Sequence, residues 1–219
     1  MKLVPDRTGR FRQRPHYEID ELEQLCERTL TEFLTEVYGQ ALIPVPTEAL
    51  TILIERDAAD LDLYADLSGE GPDVQGVTEF VAGARPNVRI ARELTLQRWR
   101  AHRLRTTLAH EYGHVLLHAS LWQAQGAGGP NRCRRGALLP RDGGVDWLEW
   151  QAGYVSGALL MPRSRVALLV EAFVRERDGR GPRDGSIEAA ELRRRASVAF
   201  DVSEEAAGVR LSKLGYSPG

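Results

Sequence analysis

In the stretch TTLAHEYGHVLLH, residues 106–118, His110, Glu111 and His114 form the pattern H-E-x-x-H. Residues four apart on a helix share a face, so both imidazoles can aim a ring nitrogen at one point. Glu111 lies one step round and is displaced from that point. Such an offset suits a carboxylate that takes a proton from an activated water better than one that ligates a metal. Gly113 leaves a bare patch where another element can approach the same helix closely. The bland alternative is an amphipathic helix whose polar residues have ordinary roles.

A catalytic zinc takes three protein ligands and keeps one position open. His118 stands four residues past His114, but histidines at two successive steps of four spread over about 12 Å of helix. His118 therefore suits packing, or support of a ligand, better than ligation. The two cysteines, Cys26 and Cys133, exclude a disulfide framework and a multi-thiolate site, so the expected donors are histidine and carboxylate. The next place to look is DWLEWQAGYVSGALLMP, residues 146–162, where Glu149 shares a face with the small residues Ala152, Gly153 and Ser156. A helix of that kind can press against a partner and deliver its acid there. Asp146 and Glu149 equally make a D-x-x-E capping box, and spacing alone does not choose between the two.

The elements that would hold these groups alternate between helix and short strand. Asp20 is the expected cap of a helix running to about Tyr38, with Leu22, Leu25, Cys26, Leu30, Phe33 and Val37 as its apolar stripe. Thr47 is the expected cap of a second helix. LDLYADL alternates with period two, and VTEFVAGARPNVRIA suggests two strands about a Gly-Pro turn. The motif helix follows, from residue 96 or 103 to 120. A Gly-, Arg- and Pro-rich stretch, 123–144, is long enough to be functional or disordered. Three further helices are expected from residues 146, 164 and 186, the last continuing as a helical pair to 214. The organisation expected is a loose tail at 1–16, a main domain at 17–177, a linker at 178–185 (RDGRGPRD) and a helix-turn-helix-like region at 186–219. The fold class is α+β, with a small, partly antiparallel sheet and a helical C-terminal region.

With 42% hydrophobic and 27% charged residues, the 219-residue chain has the composition of a globular domain. No apolar run approaches the roughly 18–20 residues of a membrane span. No secretory leader is expected, which places the chain in the cytoplasm. A net charge of -2 argues against nucleic acid as the main partner, because that binding rests on neutralised phosphates. All basic residues but Lys2 and Lys213 are arginine, a bias to which no physical role is assigned. Nothing in the sequence speaks to oligomeric state.

The motifs together resemble the ImmA/IrrE family of metallo-endopeptidases. Its pattern R-x-R-F-T-L-A-H-E-L-G-H is matched at Arg103, Arg105, Thr107, Leu108, Ala109, His110, Glu111, Gly113 and His114. The family's second helix, E-x-x-x-N-x-F-A-x-x-L-L-M-P, is matched by Glu149 and by LLMP at residues 159–162. AFDVSEEAAGVRLSKLG is similar to the family's helical ending, so the resemblance covers nearly the whole chain. The chain departs from the pattern at Thr106, Tyr112, Gly153 and Val155, where Phe, Leu, Asn and Phe are usual.

The resemblance implies a zincin-like metallopeptidase with Zn2+ on His110, His114 and Glu149, a donor set that also accepts Mn2+. It implies Glu111 as the general base that passes a proton from the attacking water to the leaving amine. It also implies a protein substrate, a helix-turn-helix repressor cut in a stress or DNA-damage response. Tyr112, Tyr154 and the arginines of 123–144 are candidates to stabilise the oxyanion, and His118 to support a ligand. Cys133, in NRCRRG, is either an exposed loop cysteine or a thiol placed for redox switching or for the open metal position. The competing reading makes residues 186–219 a DNA-binding module with a sensing or inactive metal site. Its would-be recognition helix opens with Glu204 and Glu205, which repel phosphate.

Overall fold

The computed structural model describes residues 1–124, 132–135, 146–179, 181–183 and 185–216. The chain begins with a hairpin, Lys2–Pro5 (β1) against Gln13–His16 (β2), with Lys2 opposite His16. This replaces the loose tail expected from composition. Phe11 anchors the hairpin by burying its ring against Trp122 and Trp147. Arg10 bonds Asp146 at 3.1 Å, and the Trp147 indole donates to Asp6 at 3.2 Å. An Arg- and Pro-rich composition hides such an anchor, because one aromatic residue supplies it.

Ile19–Tyr38 (α1) is capped by Glu18 with Glu21 completing a capping box, two residues before the expected Asp20. Its stripe Leu22, Cys26, Leu30, Phe33 and Leu34 is buried, and Gly39 ends it in the left-handed conformation that glycine adopts freely. Thr47–Asp57 (α2), Asp60–Ala65 (β3), Gly76–Glu79 (β4), Asn87–Ala91 (β5) and Arg92–Leu96 (α3) lead into Ala101–Ala124 (α4), which carries the motif. After it come Arg132–Arg135 (β6), Trp147–Leu160 (α5), Arg163–Arg175 (α6), Ile187–Phe200 (α7) and Glu204–Lys213 (α8). The rest of the 123–144 stretch, beyond α4 and β6, lies outside the described residues.

The four-stranded sheet has the order β3-β5-β4-β6, with β3 and β5 parallel and the other pairs antiparallel. The fold is α+β and mostly helical. Among the described residues no helix is long and apolar enough to cross a membrane. α7 and α8 bury Leu192, Phe200, Val202 and Leu211 in the same core as α1, α2, α4 and α5. Arg210 of α8 is buried, pairing both terminal nitrogens with Glu23 of α1 at 2.7 Å and donating to the Met161 carbonyl at 3.0 Å.

Helix α4 occupies the centre, and successive residues turn about 100° round its axis. Tyr112 faces α2, donating to Asp57 at 2.7 Å. Glu111 faces β4, where the Thr78 hydroxyl donates to its Oε2 at 2.7 Å. Gly113 faces α5 so closely that a Cβ there would sit 3.0 Å from Ala152 Cα and 3.2 Å from Val155 Cβ. Arg105, also buried, donates to the Val45 carbonyl at 2.7 Å and to the Phe200 and Asp201 carbonyls at 3.2 and 2.9 Å. It ties the start of α4 to the segments before α2 and after α7.

Gly113→Leu is expected to cost about 1–3 kcal/mol by overpacking, read from urea unfolding. It should also weaken metal binding, because α5 can only accommodate the side chain by moving away.

Candidate metal centre

Helices α4 and α5 run antiparallel across the Gly113 contact, which brings Glu149 opposite His110 and His114. Asp146 caps α5 by itself, accepting from the Leu148 amide at 3.1 Å. The Glu149 carboxylate turns instead to the histidines. His110 Nε2 stands 3.0 Å from Glu149 Oε2, His114 Nε2 stands 3.3 Å from Glu149 Oε1, and the two nitrogens are 3.2 Å apart. His114 is fully buried and His110 nearly so, while the Glu149 side chain is 28% exposed, so the cluster reaches solvent on its glutamate side.

These separations test whether a metal fits. Bonds of 2.0–2.1 Å to a tetrahedral zinc set neighbouring donors about 3.3 Å apart. The three pairs measured here have that spacing before any ion is considered. His110, His114 and Glu149 therefore form a group that could hold a metal ion, the sole such three-residue group found among the described residues.

The orientation of His114 is enforced from behind. The Gln151 side-chain nitrogen donates to the Pro15 carbonyl at 3.1 Å, an acceptor only, so its oxygen must face the other way. That oxygen lies 2.9 Å from His118 Nε2, which must then carry the proton. His118 Nδ1 is left as an acceptor, 3.0 Å from His114 Nδ1. His114 thus carries hydrogen on Nδ1 and turns Nε2 to the donor cluster. Burial, then the neighbouring His114, hold the His118 imidazole well below its ordinary pKa, which keeps it neutral for this role.

Burial opposes charge on His114, but Cys133 and Glu149 more than offset it and raise its pKa. Burial would raise the Glu149 carboxyl, yet His114 and His110 hold it well below the usual carboxylate range.

Glu111 is fully buried beside the cluster. Gly76 on β4 makes its place, since a Cβ there would come within 2.8 Å of Glu111 Cδ and 2.9 Å of Cγ. Gly76, Thr78 and Gln151 carried no signal in the sequence, because their roles depend on which element faces which. Tyr112 and Tyr154 turn away from the cluster. Tyr112 is held by Asp57 in the core, and the Tyr154 hydroxyl donates to Glu23 in the Arg210 network. The arginines of 123–144 lie outside the described side chains. Cys133 is buried on β6, not exposed in a loop, and its thiol interacts with His114.

A cavity of about 580 Å³ opens between α4, α5 and α8, lined by Gln75, Trp99, Arg103, Thr106, Gly153 and Val209 among others. Its lining includes none of His110, Glu111, His114 and Glu149, but Thr106 is one helical turn from His110 and Gly153 one turn from Glu149. Nothing lies within 4 Å of where a Gly153 Cβ would project.

No protein-family model matches the chain, and no curated protein matches it.

Zinc ligation requires unprotonated imidazoles and an ionised carboxylate, so binding should release protons and weaken as pH falls. Calorimetric titration in buffers of different ionisation enthalpy counts the protons. Gln151→Leu is expected to reduce metal affinity by about 10–100-fold, the usual effect of losing a ligand's supporting partner. A competitive chelator titration measures that loss.

Proposed function

We propose that the chain is a zinc-dependent endopeptidase of the ImmA/IrrE kind, with a zincin-like fold and His110, His114 and Glu149 as metal ligands. The observation that carries this reading is the spacing of the three donors, 3.0–3.3 Å, with a buried carboxylate, Glu111, positioned beside them. A zinc ion held there supplies Lewis acidity, activating water near neutral pH and polarising a carbonyl. The chain's own residues do the rest. Thr78 fixes one oxygen of Glu111 at 2.7 Å, and Gly76 keeps the space the carboxylate needs. Glu111 takes the proton of the attacking water and returns it to the leaving amine, a role for which it must stay off the metal.

The reading extends to a macromolecular substrate. An open cleft with the exposed Trp99 along its wall suits a peptide segment. Gly153, where the family pattern has Asn, leaves its own position on that wall without a side chain. The resemblance makes the substrate a helix-turn-helix repressor, cut in the cytoplasm during a stress or DNA-damage response.

The competing DNA-binding reading loses support in the C-terminal helices. Arg210 is committed to Glu23 inside the core, and Glu204 and Glu205 stand exposed at the first turn of α8. Lys213 alone remains as an exposed cation on that helix, 5.2 Å over the Tyr154 ring.

The test is cleavage of a co-expressed helix-turn-helix repressor, followed by intact mass, with wild type and Glu111→Gln side by side. The variant should keep its zinc and lose roughly 10²–10⁴-fold in rate, the range for removing a general acid–base group. Equal cleavage by both proteins would remove Glu111, and with it this mechanism.

A further inference from the structure

We propose that Cys133 becomes the fourth ligand when the metal centre is loaded, so that the zinc-loaded chain is a self-blocked state of the enzyme. The inference rests on the metal-site reading above and concerns the position that a catalytic zinc keeps open.

Strand β6 pairs antiparallel with β4, placing Cys133 directly opposite Thr78. Directly opposed residues on antiparallel strands project to the same face. Thr78 uses that face to bond Glu111 on α4. The register therefore aims Cys133 at the same helix. Its side chain is 4% exposed, enclosed by Phe11, Phe80, Trp122, Trp147 and Leu148. Its thiol contacts the imidazole of His114, one of the three donors, from just outside the donor group. The other thiol, Cys26, lies in the α1 core, where its charged neighbours are Glu23 and Arg210, already paired with each other.

Three protein donors leave one vertex of a zinc tetrahedron, and a thiol beside them competes for it with water. Coordination asks Sγ to exchange its contact with His114 for that vertex, a movement about the Cys133 Cα–Cβ bond. A metal–sulfur bond forms, the water ligand leaves, and the thiol proton passes to solvent, since a coordinating thiol is deprotonated outright. Strand β6 adds a second block. It occupies the edge of β4 that an extended peptide would use to pair beside Glu111. A peptide must displace both strand and sulfur.

Zinc K-edge X-ray absorption on the zinc-loaded full chain reads the ligand atoms directly. One sulfur at about 2.3 Å with three nitrogen or oxygen neighbours at about 2.0–2.2 Å is the expected result. A nitrogen and oxygen shell without sulfur overturns the proposal, whereas failure to retain zinc at all overturns the metal-site reading beneath it. Cys133→Ser should lose the sulfur shell, keep zinc and cleave repressor faster than wild type. A sulfur-bound wild type matched in rate by Cys133→Ser would overturn the self-blocked state. The wild-type spectrum decides the ligand even if the variant folds poorly.

Discussion

Donors on two separate helices can share one ion only if the helix axes come closer than most side chains allow. Packed helices ordinarily stand about 8–10 Å apart, with the distance set by the residues at the contact. Here the contact is Gly113 of α4 against Ala152 of α5, where an added Cβ would meet Ala152 Cα at 3.0 Å. Glu149 lies on the same α5 face, and His110 and His114 flank the glycine on α4. The small residues that looked like a permissive stripe in the sequence are what bring a carboxylate within hydrogen-bonding distance of two imidazoles.

Proximity alone would leave the donors free to turn. The chain of hydrogen bonds from Pro15 through Gln151 and His118 to His114 sets the tautomer of the deepest ligand. The hairpin that provides the Pro15 carbonyl is also bonded to the start of α5 through Arg10 and Asp146. The N-terminal residues thus hold both the backing of His114 and the helix that carries Glu149. From the sheet side, β4 holds Glu111 beside the donors through Thr78 and the space left at Gly76. Four consecutive residues of one helix, 110–113, meet three different elements, α5, β4 and α2, and the division of roles within the motif follows from helical geometry.

Much of this frame was legible in the sequence. The helices over 19–38, 147–160 and 187–213 follow from apolar periodicity and from caps such as Asp146, Ser186 and Ser203, each of which accepts a backbone hydrogen bond. The paired histidines followed from spacing. Glu149 did not, since D-x-x-E describes a capping box and a ligand equally well. Only the packing of α5 on α4 separates the two. The N-terminal hairpin and β6 were missed for a shared reason. Their residues are arginine- and proline-rich, and each is held by one or two buried side chains, Phe11 and Cys133, without the alternation that marks a strand. Gly76, Thr78 and Gln151 belong to a third class, ordinary residues given a role by tertiary contact alone.

The account stands on the claim that His110, His114 and Glu149 hold one metal ion. Anomalous diffraction at the zinc edge, from crystals of the full chain grown with zinc, addresses it directly. One peak should lie within about 2.0–2.2 Å of His110 Nε2, His114 Nε2 and a Glu149 oxygen. A zinc peak elsewhere, with the two imidazoles and the carboxylate still bonded to one another, would contradict it.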